Sequence, residues 1–473
     1  MPCPVARRVL LPFAKAASGA ALRERGIMPT RRAVLRGIGG TGLAAAVSGV
    51  PEAAVALGGR STDPVFTFAS LPDFFNGDVA DLRVLPSWDG GANSVNQYWL
   101  DAIDHCLGAV AAHRPDAVFV AGDAVEGRWN IDSDGRELFG PVRQRRDPDS
   151  LAMCRQAITT AGNVHYDFYA ELFASRGLRL FPAIGDHELL DDRPGRLNDR
   201  WSPSGFHNGV PDNRYYLVDH SKKVWANHFT RRLDGDPRYR RRPIGTGAEW
   251  TAYAVSFADA LTLITVDMFM RHREGVRLGV FHGQLSWLRH EIRRAKRKGH
   301  VVVVQGHMPA MWPTRHFSSG RLRLPEGRES TFYRTLDREG VDLFLCGEVH
   351  DSTALQHGRR GPLQISHGSI FRDAFPFLVG RLYEDGRLKL DLHETLISEA
   401  SAETGIWSCD ATRYQRTYLR YAAPRHRGRI IQRHGEVLKA TDKLGAYHPK
   451  HDPLSFHVPG NLGTTIVDSW PTA

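Results

Sequence analysis

The stretch LRLFPAIGDHE, residues 178–188, decides the fold. An apolar run stops at Gly185 and is followed at once by Asp186, His187 and Glu188. Three consecutive ionisable side chains are poor material for a core. They are good material for a site, because α/β sheets bind their ligands outside the carboxyl ends of their strands. The same pattern recurs along the chain. AVFVAGDAVEG, residues 117–127, supplies Gly122-Asp123 with Glu126 three residues on. VVVVQGHMP, residues 301–309, supplies Gly306-His307, and LFLCGEVHD, residues 343–351, supplies Gly347, Glu348 and His350. Each time an apolar strand meets a glycine, which permits a sharp turn and close approach of backbone, and then a carboxylate or imidazole. Taken singly, each motif reads as an ordinary turn; four in one chain point to a shared site.

Around these motifs the chain alternates short apolar runs with helical spacing. Strands are predicted at Val65–Ser70, Ala117–Gly122, Leu178–Gly185, Val301–Gln305, Val341–Gly347 and Pro362–Ser366. Helices are predicted over Ser94–His113, over Leu151–Gly177 with an interruption near Gly162, and over Gly283–Gly299 with a basic outer face. Thr251–Asp267 reads as a hairpin turning near Ala258-Asp259, and Phe377–Thr395 as a hairpin turning at Asp385-Gly386. All-apolar strands alternating with helices imply a sheet covered on both faces, and the hairpins make it mixed. Pro141–Arg146 and Arg231–Pro243 are Arg-rich and read as solvated loops, with contact to a phosphate as the sharper alternative. Residues past 396 lose the α/β rhythm.

The series GD-xx-E, GDHE, GH and GEVH, together with HGQLSWL at residues 282–288, resembles the calcineurin-like metallophosphoesterases, which include purple acid phosphatases and class III phosphodiesterases. The resemblance covers roughly residues 65–395. It implies an α/β, four-layer sandwich of two mixed β-sheets flanked by helices, with a dinuclear metal centre at the strand ends. By that resemblance Asp123 bridges both metals, Asp186 stands at the usual asparagine ligand, His307 and Glu348 serve the second metal, and His350 the first. His187 matches the histidine that acts beside the leaving group. The resemblance also implies two divalent or trivalent cations (Fe, Mn or Zn) and a small phosphate-ester substrate, a phosphomonoester or a phosphodiester. Two cations can clamp phosphoryl oxygens and lower the pKa of a bridging water, and oxygen plus imidazole ligands suit such metals. Glu188 and Glu126 are candidates to fix the histidine tautomers.

The chain departs from the family pattern in three places. No Asp-x-His follows the first strand; LPDFFNGDVAD, residues 71–81, offers Asp73 as the nearest replacement and Asp78 as the second. Asp186 replaces a neutral amide, and Glu348 stands where relatives often carry histidine. The last two make the second metal's surroundings more anionic. Loss of the Asp-x-His motif leaves open a one-metal or catalytically silent binding protein on the same fold.

With 473 residues, 42% hydrophobic and 24% charged, the chain has the make-up of a large soluble protein. Its net charge of +10 suggests a nucleic-acid partner only until its distribution is seen. Residues 1–56 hold eight arginines and lysines against two glutamates, so most of the excess lies in that leader. No interleaved aromatic and basic groove pattern supports nucleic-acid binding. Five cysteines without CxxC pairing exclude a disulfide scaffold. TRRAVLRGIGGTGLAAAVSGVPEAAVA, residues 30–56, places Arg31-Arg32 before a Gly- and Ala-rich apolar run and a small-residue end, the order of a signal peptide. It resembles a twin-arginine signal, with Met28 as an alternative start. The expectations are therefore an export leader over 1–60, a catalytic domain over 61–395 and an extension over 396–473. The partner expected for the leader is the twin-arginine export machinery, with no stable membrane insertion after its removal.

Overall fold

The computed structural model describes residues 63–71, 73, 97–125, 127, 129–130, 137, 139–190, 201–207, 210–311, 324–348, 352–357, 360–367, 374–399, 419–421, 423–440 and 463–466. The leader, with Arg31 and Arg32, lies outside them. The chain separates into two units, Met1–Gly58 and Gly59–Ala473, and every element below belongs to the second.

In chain order the elements are β1 (Phe66–Leu71), α1 (Gln97–Ala111), β2 (Ala117–Val120), α2 (Pro148–Ala174), β3 (Leu180–Pro182), β4 (Phe206–His207), β5 (Val210–Pro211), α3 (Arg214–Phe229), β6 (Tyr253–Phe257), β7 (Leu261–Thr265), β8 (Phe269–His272), β9 (Gly275–Leu278), α4 (His282–Arg297), β10 (Val301–Gln305), α5 (Thr331–Arg338), β11 (Leu343–Leu345), β12 (Ser352–Gln356), β13 (Leu363–His367), β14 (Ala374–Leu382), β15 (Arg387–Glu399), β16 (Leu419–Tyr421), β17 (Arg425–Arg433), β18 (Glu436–Ala440) and β19 (Gly463–Ile466). One mixed sheet runs β18-β17-β15-β14-β1-β2-β3, with β16 beside β15; the other runs β19-β12-β13-β11-β10-β7-β6. This is the α/β, four-layer sandwich of two mixed β-sheets flanked by helices.

The core lies between the sheets. Phe257 of β6 stacks on Phe66 of β1 at 4.8 Å and meets Phe181 of β3 edge-on at 5.1 Å, so aromatic rings from both sheets interleave. Val301–Val304 are all at most 3% exposed, each such burial contributing about 1.5–3 kcal/mol. Polar ties also cross the sandwich: Gln305 Nε2 donates to Phe181 O at 2.9 Å and Tyr253 Oη to Pro182 O at 2.8 Å. On the outside, α4 packs on β7 and β10 through Leu288, Ile292 and Ala295, while its arginines and lysines face outward.

Both predicted hairpins form. Ala258 and Asp259 both have positive φ (48° and 49°), the conformation of a tight two-residue turn. Helix α2 is uninterrupted at Gly162. A Cβ there would sit 2.3 Å from Val224 Cγ1 of α3, so this glycine serves close helix approach and not a break. Helix α3 itself had no expected element, because its buried positions (Leu217, Val218, Val224, Trp225) are interleaved with buried polar ones and blur the period. The segment after residue 396 is not structurally idle: β17 pairs with β15 from Arg387↔Arg433 to Glu394↔Arg425, and β18 adds the sheet's outer strand. The Arg-rich loops are anchored in the protein surface. Arg231 and Arg242 lie over the Trp250 ring, and Arg241 bonds Glu291.

Parallel register sets the site. Leu71 pairs with Val120, and Val120 with Pro182, so β1, β2 and β3 end at one level. Thr265 pairs with Gln305, and Gln305 with Leu345, so β7, β10 and β11 do the same in the other sheet.

Candidate metal centre

Beyond these levels the strand-end loops converge. A Cβ on Gly185 would lie 2.0 Å from Asp123 Oδ1, and one on Gly347 would lie 2.3 Å from Asp73 Oδ1. Glycine is required at both positions because a carboxylate occupies the space. Asp123 and Glu348 adopt φ of 56° and 64°, a left-handed backbone uncommon for non-glycine residues and concentrated at functional sites.

His307 is the hub. Its Nε2 lies 3.0 Å from Asp123 Oδ2, 2.8 Å from Asp186 Oδ1 and 3.5 Å from Glu348 Oε2. Its Nδ1 lies 3.0 Å from Ala121 O. A carbonyl accepts only, so Nδ1 carries the proton and Nε2 turns its lone pair toward the carboxylates. One ligand atom each from Asp123, Asp186, His307 and Glu348 falls within 4.8 Å of the others, and all four residues are buried. Asp73, 2% exposed, joins them: its Oδ2 accepts the Glu348 N–H. His187 lies alongside, its backbone N–H donating to Asp123 Oδ1 at 3.1 Å and its ring Nε2 3.8 Å from Asp186 Oδ2.

Glu188 does not orient a histidine, contrary to the sequence expectation. It accepts from Asp123 N (2.9 Å), Ala124 N (2.7 Å) and Gly185 N (2.6 Å), clamping two strand-end loops together. Burial, then the Asp123 charge, push its carboxyl up to about 7. The tautomer role falls to the Ala121 carbonyl, which no side-chain pattern reveals. Asp267, just past β7, sits one strand over and bonds Lys222, Thr251 and Gln284.

The electrostatics define what the site can hold. Burial pushes Asp73, Asp186 and Glu348 above the usual carboxylate range, and the neighbouring carboxylates add to it. Burial also acts against the charge of Asp123, but His307 and His187 outweigh it and hold that carboxyl low. Burial opposes the His307 imidazolium too, yet Asp123, Asp186 and Glu348 drive its pKa well up. Four buried carboxylates thus surround one imidazole. Among the described residues Asp123 Oδ2, Asp186 Oδ1 and His307 Nε2 face one another, and none makes a well-aligned hydrogen bond. Buried acceptors left without donors are costly, and buried like charges need a cation among them. Three carboxylates and an imidazole lone pair are a donor set for a divalent metal, so the residues fit one.

Of the expected site residues, Asp73, Asp123, Asp186, His187, His307 and Glu348 come together. His350, Asp78 and Glu126 lie outside the described residues. A family profile described as calcineurin-like phosphoesterase matches residues 77–352, more than half of the chain. The chain belongs to the calcineurin-like phosphoesterase family. Among solved structures it is similar to a dimetal phosphatase from Danio rerio, at 15% identity over 69% of this chain and 96% of that one, with a TM-score of 0.42. It is also similar to PhoD, at 10% identity over 86% of this chain and 75% of that one, with a TM-score of 0.49. No curated protein is significantly similar to it.

Proposed function

We propose that this member of the calcineurin-like phosphoesterases is an exported enzyme that hydrolyses small phosphate esters at a dinuclear metal centre. The observation that carries the proposal is the buried group Asp123, Asp186, His307 and Glu348, gathered within 4.8 Å from four separate strand ends. Those four would hold one cation. Asp73 and His350, with Asp123 shared, would hold the other. When bound, the pair of Fe, Mn or Zn ions supplies Lewis acidity and a water of lowered pKa.

The chain's own residues have definite tasks. Ala121 O keeps the proton on Nδ1 of His307 and so keeps Nε2 available as a ligand. Glu188 fixes the loops that carry Asp123 and Asp186, so the ligands are held before metal or substrate arrives. His187, anchored through its N–H on Asp123, is positioned to give a proton to the departing alcohol.

Residues 1–60 would be the twin-arginine leader, 61–395 the catalytic domain and 396–473 an extension of its sheet. A second reading, a one-metal or silent binding protein, draws on the absent Asp-x-His motif. Metal analysis combined with p-nitrophenyl phosphate and its bis ester separates the two. Two equivalents per chain with turnover support the enzyme; one equivalent or none, without turnover for any metal, supports the binding protein. For export, Arg31→Lys with Arg32→Lys should leave the precursor inside the cell, whereas unchanged secretion refutes the leader.

A further inference from the structure

One strand over from His307 lies a cavity of about 510 Å³, within the size range of small-molecule sites. Thr265 pairs with Gln305, so Asp267 and Phe269, just beyond β7, lie beside the loop that carries His307. Phe269 lines the cavity, and its ring is 6.4 Å from the His307 ring. The lining is of two kinds. Phe269, Phe281, Met270 and Ala248 make it apolar. Of its charged groups, Asp219 is paired with Arg271 at 2.6 Å. Asp267 accepts three hydrogen bonds: Oδ1 from Phe269 N at 2.9 Å, and Oδ2 from Lys222 Nζ at 2.6 Å and from the Thr251 hydroxyl. Lys222, 7% exposed, gives two of its three protons to Asp267 Oδ2 and Phe269 O, which leaves one. The first turn of α4, at His282–Gln284, also borders the cavity. Its N-cap, Phe281, has no side chain able to accept those N–H groups.

We propose that this cavity receives the alcohol portion of the substrate, and that it selects an organic group with an apolar body and an anionic end. The assignment rests on the phosphoesterase reading, since it places the phosphoryl group at His307 and the leaving group across Phe269. Phe269 and Phe281 contact the body, and Lys222 with the α4 amides meets the anionic end.

Gly247 provides the test, because it lines the cavity, has no neighbouring atom within 4 Å of an added Cβ and needs no positive φ. Gly247→Trp therefore adds a large ring at the cavity wall where the new Cβ meets no atom. Titration calorimetry on the metal-stripped protein should show 4-hydroxybenzoate binding about tenfold more tightly than phenol, and Gly247→Trp should abolish that binding. In the metal-loaded protein the variant should lower kcat/KM for 4-carboxyphenyl phosphate about tenfold and leave methyl phosphate unchanged. Lys222→Met should remove the preference for 4-hydroxybenzoate over phenol. A wild-type protein that hydrolyses esters but does not bind 4-hydroxybenzoate overturns the inference alone, as does equal loss on both esters. Binding of 4-hydroxybenzoate with no turnover of any ester overturns the phosphoesterase reading and the leaving-group assignment with it.

Discussion

Asp186 and Asp391 are both carboxylates at no more than 3% exposure, and the protein answers them in opposite ways. Asp391, on β15, is met by cations. Arg381 donates at 2.9 Å, His426 Nε2 lies at 3.0 Å, and Arg429 and Lys389 are close. Burial opposes its charge, but Arg429 and Lys389 overcome that and hold its carboxyl low. Asp186 is met by Asp123, Asp73, Glu348 and the imidazoles of His187 and His307, and its carboxyl is held high by burial and by Asp123. The first carboxylate is complete within the chain. The second is one of a set that only a bound cation completes. The difference separates an acid that holds a sheet together from acids held in readiness for chemistry.

The largest expected effect comes from removing Asp123, the carboxylate proposed to serve both cations. Asp123→Asn should cost roughly 10³-fold or more in kcat/KM for p-nitrophenyl phosphate and lower bound metal, while Asp391→Asn leaves both unchanged. Equal loss in the two variants would erase the distinction between the clusters.

Metal removal comes next. Restoring a metal at about 100 times its Kd should stabilise the stripped protein by roughly 2.7 kcal/mol in denaturant unfolding, and by the same amount in Asp391→Asn. A stripped protein as stable as the loaded one would mean that the strand-end acids need no cation.

A smaller effect should have opposite signs at the two places. In the metal-free protein Asp186→Asn removes a like charge and should raise stability by about 1 kcal/mol. Asp391→Asn loses charged hydrogen bonds and should lower it by about 1–2 kcal/mol.

The smallest effect is in pH. Folding holds Asp391 below the ordinary carboxylate range, so as acid is added the unfolded chain takes up that proton first. Its contribution is full above the unfolded carboxylate pKa and is lost as pH falls through the lowered folded value. Wild-type stability should therefore fall more steeply in acid than that of Asp391→Asn, and parallel curves would remove the role of Asp391.

Much of the candidate site was legible in the sequence because glycine followed by a ligand at a strand end is a local signal. Asp123, Asp186, His187, His307 and Glu348 carry it in full, and Asp73 was reachable as the nearest acid after β1. What could not be read was who touches whom. Glu188 looked like a histidine partner and is a loop clamp, since two of its three donors, Asp123 N and Ala124 N, belong to a loop some 65 residues earlier in the chain. Helix α3 was missed because buried Ser221 and Lys222 interrupt its apolar period, and Gly162 was misread because the helix it lets approach, through Val224, lies 62 residues further on.

By itself, then, the chain's order of residues determined the alternation of strands and helices, both hairpin turns and the positions where ligands emerge, all of which follow from local sterics and hydrophobic spacing. Only the tertiary structure decided the contacts between distant residues. Among them are the Asp73–Glu348 hydrogen bond across 275 residues and the Ala121 carbonyl on His307 across 186. The cavity beside Phe269 and the joining of β17 to the first sheet were decided in the same way. The reason is physical: a hydrogen bond between remote residues exists only when packing and register bring both ends together, and no short window of sequence contains both.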